Sequence, residues 1–358
     1  MQFKELTDEE FDKFAKNYDQ ANFNQCSEMG NIRKQSNSEV FYLGILKNEK
    51  IIAACLLEIP QSKIKHGVIS FGPLLDYDNL NLLSFWTKEI KLWGSQYNLL
   101  YITIRPYLPY QLHESDGKII QNTQNDTMLS NLKSLQYNHF GWTITGDDAV
   151  NRWHYCKNIS SFNSYDELFS SLDSETRRRI RYAKKHGVTV RELTLDEIDI
   201  FINTFEDTAK RLNFKTRDEN YYYQLKKQFG DKCILLVAEV DINGEKKIAS
   251  SGLFIKSNTE FIHYLGGNRR EFMKYKSSYA IEDWGLKYTF ENKLQIYNML
   301  GINGNFDKTN GLWDFKSRFN GFIRELPGLF TLPIKQPQYL LFNIADKILT
   351  RIRKICSK

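Results

Sequence analysis

The stretch Ile234-Leu235-Leu236-Val237-Ala238-Glu239-Val240, followed by Asn243-Gly244-Glu245-Lys246 and by Ile248-Ala249-Ser250-Ser251-Gly252-Leu253-Phe254-Ile255, reads as two apolar strands joined by a hairpin turn. The same pattern stands earlier in the chain, as Phe41 to Leu46, Asn48-Glu49-Lys50, and Ile51 to Leu57. After each hairpin comes a further apolar strand, Val68-Ile69-Ser70-Phe71-Gly72 in one copy and Phe261-Ile262-His263-Tyr264-Leu265-Gly266 in the other. An amphipathic helix follows each, over 79–92 and 277–290, and then another strand, Leu100 to Ile104 and Ile296 to Leu300. Hairpin, strand, helix and strand, written twice, predict an α/β (α+β) chain of two similar units with helices flanking mixed sheets. Clefts between such units are favoured ligand sites.

A length of 358 residues agrees with two domains, each large enough for its own core. Hydrophobic residues at 41% and charged residues at 26% exclude a largely disordered chain. No uncharged apolar run approaches the roughly 18 residues that a bilayer span needs. The first dozen residues carry Glu5, Asp8, Glu9, Glu10 and Asp12, the reverse of a secretory leader, so the reading is cytoplasmic. The five cysteines show no CxxC pair and no His at ligand spacing, which argues against disulfides and a zinc site; no metal site is predicted. The net charge of +6 is mild, but its distribution is uneven: Arg177-Arg178-Arg179, Arg181, Lys184 and Lys185 form one cluster, and Arg351, Arg353 and Lys354 a second.

Thr7 with Glu10 marks a capped helix start ahead of Phe11 and Phe14. The segment 108–136 is rich in Gln, Asn, Asp and Ser, with helical periodicity over 126–135, and the domain boundary is expected near 145–160, before the strand-like Arg152-Trp153-His154-Tyr155. Two short helices are predicted over 164–170 and 174–186, the second closed by Gly187, and a longer one over 195–212. The chain ends in a helical pattern, 339–355, with Leu341, Ile344, Ile348 and Ile352 on one face. That face either docks on the first domain or, as a basic amphipathic helix, touches anionic lipid.

Six histidines show no HxxxH spacing and no Gly-x-Ser-x-Gly elbow, and there is no phosphate-binding loop of the Walker type. The Arg-rich helix places Arg177, Arg181 and Lys184 near one face, where they could follow a phosphate backbone. The densest signal is Gly301-Ile302-Asn303-Gly304 and then Gly311-Leu312-Trp313-Asp314-Phe315-Lys316-Ser317-Arg318-Phe319-Asn320-Gly321, opening at a strand end. Its glycines admit close backbone approach and Lys316 supplies a compact cation in an aromatic setting.

The order of elements resembles the acyl-N-transferase (GNAT) fold of acetyl-CoA-dependent enzymes. In that fold a Gly-rich turn cradles the cofactor pyrophosphate, but the equivalent stretch here, Gly266-Gly267-Asn268-Arg269-Arg270-Glu271-Phe272, is bulky, which fits acetyl-CoA poorly. The passage around Gly301 and Gly311-Leu312, the Phe315-Lys316 pair and Phe319-Asn320-Gly321 resembles the FemABX family, the aminoacyl-tRNA-dependent peptidyltransferases that add bridge amino acids to peptidoglycan precursors. The likeness extends through Phe71-Gly72-Pro73-Leu74-Leu75-Asp76, Ile104-Arg105-Pro106-Tyr107, Thr176-Arg177, Arg217 with Tyr221-Tyr222, and Tyr264-Leu265-Gly266.

What this resemblance implies is specific. Two tandem GNAT-like domains are expected, 1–150 completed by 335–358, and 151–334. Lys34, Arg217, Tyr221 and Tyr264 would hold the diphosphate and sugar of a UDP-linked muramyl-peptide; Arg177, Arg181 and Lys184 would face tRNA; Phe315 and Lys316 would be the catalytic pair, with Lys316 stabilising an oxyanion. The partners implied are aminoacyl-tRNA, UDP-MurNAc-pentapeptide or its lipid-linked form, and the inner membrane face; no cofactor is implied. Where several members carry an Asp before the strand-end Pro, this chain has Arg105, so no carboxylate base is expected there. Only 42 residues (264 less 222) separate Tyr222 from Tyr264, too few for the family's coiled-coil arm. Two rivals remain: an N-acyltransferase using an acyl-CoA or acyl carrier donor in cell-envelope polysaccharide synthesis, and a catalytically inert binding module.

Overall fold

A computed structural model describes residues 1–146 and 148–345. Its strands, in chain order, are β1 (Gln2–Glu5), β2 (Glu39–Lys47), β3 (Lys50–Ile59), β4 (Gly67–Ile69), β5 (Tyr101–Ile104), β6 (Gln111–Glu114) and β7 (Asn138–His139). They continue as β8 (Trp153–Asn158), β9 (Val188–Glu192), β10 (Cys233–Ile242), β11 (Glu245–Lys256), β12 (Glu260–Asn268), β13 (Ile296–Ile302), β14 (Phe322–Glu325) and β15 (Phe330–Pro333).

Among the described residues these form two mixed sheets, ordered β1-β2-β3-β4-β5-β15-β7 and β6-β14-β8-β13-β12-β11-β10-β9. The expected repeat is visible as identical wiring. In each sheet the hairpin (β2–β3, β10–β11) pairs antiparallel with the next strand, and that strand pairs parallel with the strand that follows a crossover helix. The crossover helices run Leu80–Gln96 and Ser277–Glu291. A parallel pair requires such a crossover, which is why the long helix stands between the last two strands of both copies. The first helix buries Leu83, Trp86 and Ile90; the second buries Tyr279, Ile281 and Leu286.

Local chemistry sets the ends of these elements. Thr7 Oγ1 accepts from Glu10 N at 3.1 Å, and Glu10 Oε2 accepts from Thr7 N at 3.0 Å, the expected reciprocal cap. Gly187 sits at φ +75° just beyond Ser174–Lys185, and Asn213 at φ +55° closes Ile198–Leu212. Helices Ser27–Gln35 and Glu219–Phe229 carry no sequence prediction of their own; the second starts at the Asp218 cap, whose side chain accepts from Asn220 N.

The described residues divide into two compact units: 1–107 with 125–142 and 327–345, and 108–124 with 143–146 and 148–326. This corrects the expected boundaries in three places, the first being 143–146 with 148–150, which join the second unit as Thr143 O accepts from Arg152 and Trp153. Residues 108–124 join the second unit because β6 pairs with β14, and 327–334 join the first because β15 pairs with β5 and β7. Gly266 and Gly267 are also not a turn but lie within β12. A Cβ at Gly267 would come within 2.5 Å of the Thr204 carbonyl, so glycine there lets helix Ile198–Leu212 press onto the strand.

The segment from Tyr222 to Tyr264 holds the rest of its helix and the β10–β11 hairpin, and no arm. Only 339–345 of the expected terminal helix fall within the described residues; Ile348, Ile352 and the Arg351-Arg353-Lys354 cluster lie outside them. In the described part the docked side chains are Tyr339 and Phe342, with ring centroids 5.6 and 5.9 Å from Tyr101, whereas Leu340, Leu341 and Ile344 are exposed. The contact face is thus not the one the apolar spacing of Leu341 and Ile344 suggested.

Candidate active site

The second sheet opens where β12 and β13 part. They are paired through Glu260↔Ile296, Phe261↔Tyr297 and Ile262↔Asn298 only, and beyond that both strands continue without each other. Backbone groups on the parted edges then need other partners. On β13 the register against β8 shifts between Asn298 and Gly301, and Leu300 takes φ +54° with its N–H donating to Asn298 Oδ1 at 2.8 Å.

Lys316 answers the need on this side. It projects from helix Gly311–Ser317, which Asn310 caps by accepting from Trp313 N. Its Nζ donates to the carbonyls of Met299 at 2.6 Å and Gly301 at 2.9 Å, with a longer contact of 3.4 Å to Leu300 O. Burial pushes the Lys316 ammonium down to about 8, against the opposing influence of Glu282 and Cys156. Two of its three donors are firmly engaged with backbone and the third only weakly, so Lys316 both ties the bulged end of β13 and keeps one N–H for an added acceptor. Tyr155 secures the helix's far end: its hydroxyl donates to Ser317 O at 3.2 Å and accepts from Gly321 N at 2.7 Å.

On the β12 side, residues 263–266 are half-buried, as the parting of the strands dictates. Tyr264 extends from here, its hydroxyl 3.0 Å from that of Tyr221. The Arg217 guanidinium lies 5.4 Å above the Tyr221 ring, and Arg217 N donates to the buried Tyr222 hydroxyl at 3.0 Å. Three of the four expected substrate-binding residues are therefore one cluster, held by the start of helix Glu219–Phe229 against the uncovered half of β12. The fourth, Lys34, belongs to the first unit; it is exposed in the last turn of Ser27–Gln35 with Nζ 5.7 Å from the Tyr42 ring. Arg105 also lies in the first unit, just past β5, with its N–H donating to Ile69 O.

A pocket of about 200 Å³ adjoins the start of helix Ser277–Glu291, lined by Arg179, Asn268, Met273, Lys276, Ser277, Ser278, Tyr279 and Phe315. Phe315 is its aromatic wall, edge-on to Tyr279 at 4.9 Å. From the Arg-rich helix it is Arg179 that reaches this pocket, not Arg177, Arg181 or Lys184. The buried stripe Thr176, Ile180 and Ala183 explains this. At 100° per residue Arg179 flanks that stripe on one side, while the other three lie on the opposite flank. Arg181 covers the Phe169 ring at 5.3 Å, and Lys184 pairs with Asp283 at 2.7 Å. The charge run marked the helix, but selecting among its arginines needed the position of the apolar stripe.

A family model described as the FemAB family matches residues 6–249 and 243–347. The aminoacyltransferase FemA of Staphylococcus epidermidis is 26% identical over 416 aligned positions, covering 97% of this chain and all of that protein. Since 416 exceeds the 358 residues present here, that relative carries at least 58 positions without a counterpart in this chain. Among solved structures, one titled "Crystal structure of FemX" shares the fold at a TM-score of 0.82 with 19% identity, over 95% of this chain and 99% of that one. A tandem GNAT protein from the clavulanic acid biosynthesis pathway shares it at 0.54 with 10% identity, over 93% and 98%. The duplicated GNAT-like architecture and the match along nearly the whole sequence agree: this chain belongs to the FemAB family.

Proposed function

We propose that the protein is an aminoacyltransferase that moves an amino acid from aminoacyl-tRNA to the side-chain amine of a muramyl-pentapeptide, either UDP-linked or lipid-linked. The observation that carries this reading is the parting of β12 and β13. An Arg–Tyr–Tyr cluster suited to a diphosphate and sugar lies on one side, and a buried lysine with a spare donor on the other. The relative named an aminoacyltransferase supports the reaction class.

In the reaction the amine attacks the ester carbonyl, the C–N bond forms, and the C–O bond to the terminal ribose breaks. The ester already carries the activation, so the protein's tasks are positioning and oxyanion stabilisation. Lys316 serves the oxyanion by giving up its long contact to Leu300 O. Phe315 and Arg179 receive the tRNA end in their shared pocket, and Arg177, Arg181 and Lys184 lie along its approach. Arg217, Tyr221 and Tyr264 bind the acceptor's diphosphate and sugar. The reaction belongs to the cytoplasm; among the described residues no helix is long and apolar enough to cross a membrane. The exposed Leu340, Leu341 and Ile344 support contact with the membrane face where a lipid-linked acceptor resides.

Transfer of labelled amino acid from charged tRNA to either acceptor, abolished by RNase, tests the reading; no product with any charged tRNA overturns it. Arg217→Ala is expected to raise KM for a nucleotide-linked acceptor about 10- to 100-fold with kcat little changed, the loss of a charge-assisted phosphate contact. Steady-state kinetics with the acceptor varied checks this.

A further inference from the structure

The residues assigned to the site include no base. Arg217 and Lys316 are cations and Tyr221 and Tyr264 are weak acids, yet an amine with an ordinary value near 10.4 must lose a proton before its attack. On β12, His263 stands where the strands part. We propose that His263, oriented by Glu282, accepts the proton of the attacking amine; the inference rests on the aminoacyl-transfer reading above.

His263 is the first residue of β12 beyond the last β12–β13 pair and the neighbour of Tyr264. Its Nδ1 lies 2.9 Å from Glu282 Oε1 on helix Ser277–Glu291. Glu282 is buried, and burial alone would raise its carboxyl; His263, the Tyr297 hydroxyl and the Lys316 charge outweigh that and hold it below the usual range. Oε1 therefore accepts from Nδ1–H, so that in the neutral ring the lone pair is on Nε2. Tyr297 OH donates to the other oxygen, Glu282 Oε2, at 2.5 Å, so the carboxylate cannot turn away from the ring. The imidazole is further clamped by stacking on Phe254, centroids 4.3 Å apart and planes 22° from parallel.

Nε2 itself is buried and makes no hydrogen bond within the protein. A buried polar atom without a partner in the protein is a sign that another molecule supplies one. Its surroundings leave that edge bare of side chains. A Cβ on Gly266 would come within 2.8 Å of Nε2 and one on Gly252 within 3.2 Å. Around this pair stand Tyr297 on β13, behind the carboxylate, and Lys316, whose charge acts on Glu282 from helix Gly311–Ser317. β11 presents Phe254 and Gly252 to the ring.

In the step proposed, Nε2 takes one proton from the substrate ammonium, and Glu282 stabilises the imidazolium so formed. The freed amine nitrogen bonds to the ester carbon; the C–O bond to the ribose breaks as a second N–H proton passes to the departing oxygen, and His263 then releases its proton to solvent. Proton, electron pair and leaving group balance with no further reactant. The arrangement is that of a base held in its tautomer by a buried carboxylate.

The test compares wild type, His263→Ala, His263→Gln and Glu282→Gln in single-turnover transfer from charged tRNA to the acceptor, from pH 6 to 10, with melting temperatures alongside. His263→Ala is expected to lower the rate about 10²–10³-fold at pH 7 with KM for both substrates within about threefold, the range of a lost general base. The deficit should shrink as pH approaches the amine's own value and on addition of imidazole. Glu282→Gln should lose about tenfold and show an altered pH profile. A His263→Ala protein within about threefold of wild type, or a deficit constant across pH and deaf to imidazole, overturns the inference and leaves a structural histidine. If His263→Ala does not fold, the pH profiles of His263→Gln and Glu282→Gln decide in the same way. If wild type itself transfers nothing from any charged tRNA, the functional reading fails first and the inference falls with it.

Discussion

Lys316→Ala is expected to slow transfer about 10²–10³-fold at saturating substrates, the usual consequence of removing one oxyanion donor. The structure adds a second expected effect. Met299 and Gly301 lose the partner of their carbonyls, which costs about 1–3 kcal/mol for each group left buried without one. Turnover and melting temperature should therefore fall together, and the order of the two can be separated by pH. Folding holds the Lys316 ammonium at about 8, below its unfolded value of roughly 10.4, so between those values the unfolded chain binds more protons than the folded one. Stability then rises with pH across that window, the penalty for burying the charge being full below about pH 8 and gone above roughly 10.4. The catalytic contribution runs the other way, since only the charged form stabilises an oxyanion, and turnover should decline as pH passes about 8. A Lys316→Met protein should lack both pH responses. Near wild-type turnover of Lys316→Ala would refute the catalytic role, whatever its stability.

Arg152→Ala should be the most destabilising single change in the second unit, by about 3–5 kcal/mol. The Arg152 side chain is fully buried. It pairs with Glu325, donates from Nε to Leu326 O at 3.1 Å and from Nη1 to Thr143 O at 2.6 Å. Thr143 and Leu326 are the residues at which the main segment of the unit begins and ends. Glu325 also lies 2.9 Å from His113 Nε2, so removing the arginine leaves a buried carboxylate beside the His113 ring without its guanidinium. Denaturant unfolding, read as the shift in midpoint at constant slope, measures the loss. A change below about 1 kcal/mol would mean that water or a rearranged His113 replaces the guanidinium.

Much of the fold was legible because its signals are local. Alternating and continuous apolar runs gave both hairpins, Gly187 and the Thr7–Glu10 pair gave helix ends, and repetition of one order gave the two units. What escaped depends on distant partners. β6, β14 and β15 are short strands whose pairing, not their composition, decides which unit owns them, and this moved the boundaries of 108–124 and 327–334. Gly266-Gly267 looks like a turn in the sequence, and only the pressure of helix Ile198–Leu212 explains glycine within a strand. Arg217, Tyr221 and Tyr264, which the resemblance implied position by position, lie together, although Tyr221 and Tyr264 are 43 residues apart. The triple carbonyl contact of Lys316 could not be read from spacing, since it requires β13 to part from β12. Nor could the His263–Glu282 pair, which joins a strand to a helix across 19 residues.

The proposed function places acyl transfer where β12 and β13 part. A crystal structure of the protein with a stable amide analogue of 3′-aminoacyl-adenosine tests this. The amide carbonyl oxygen is expected within about 3 Å of Lys316 Nζ, with the adenosine towards Phe315 and Arg179. An analogue bound in the first unit, or in the second unit away from the parted strands with Lys316 still closed on Met299, Leu300 and Gly301, would contradict it.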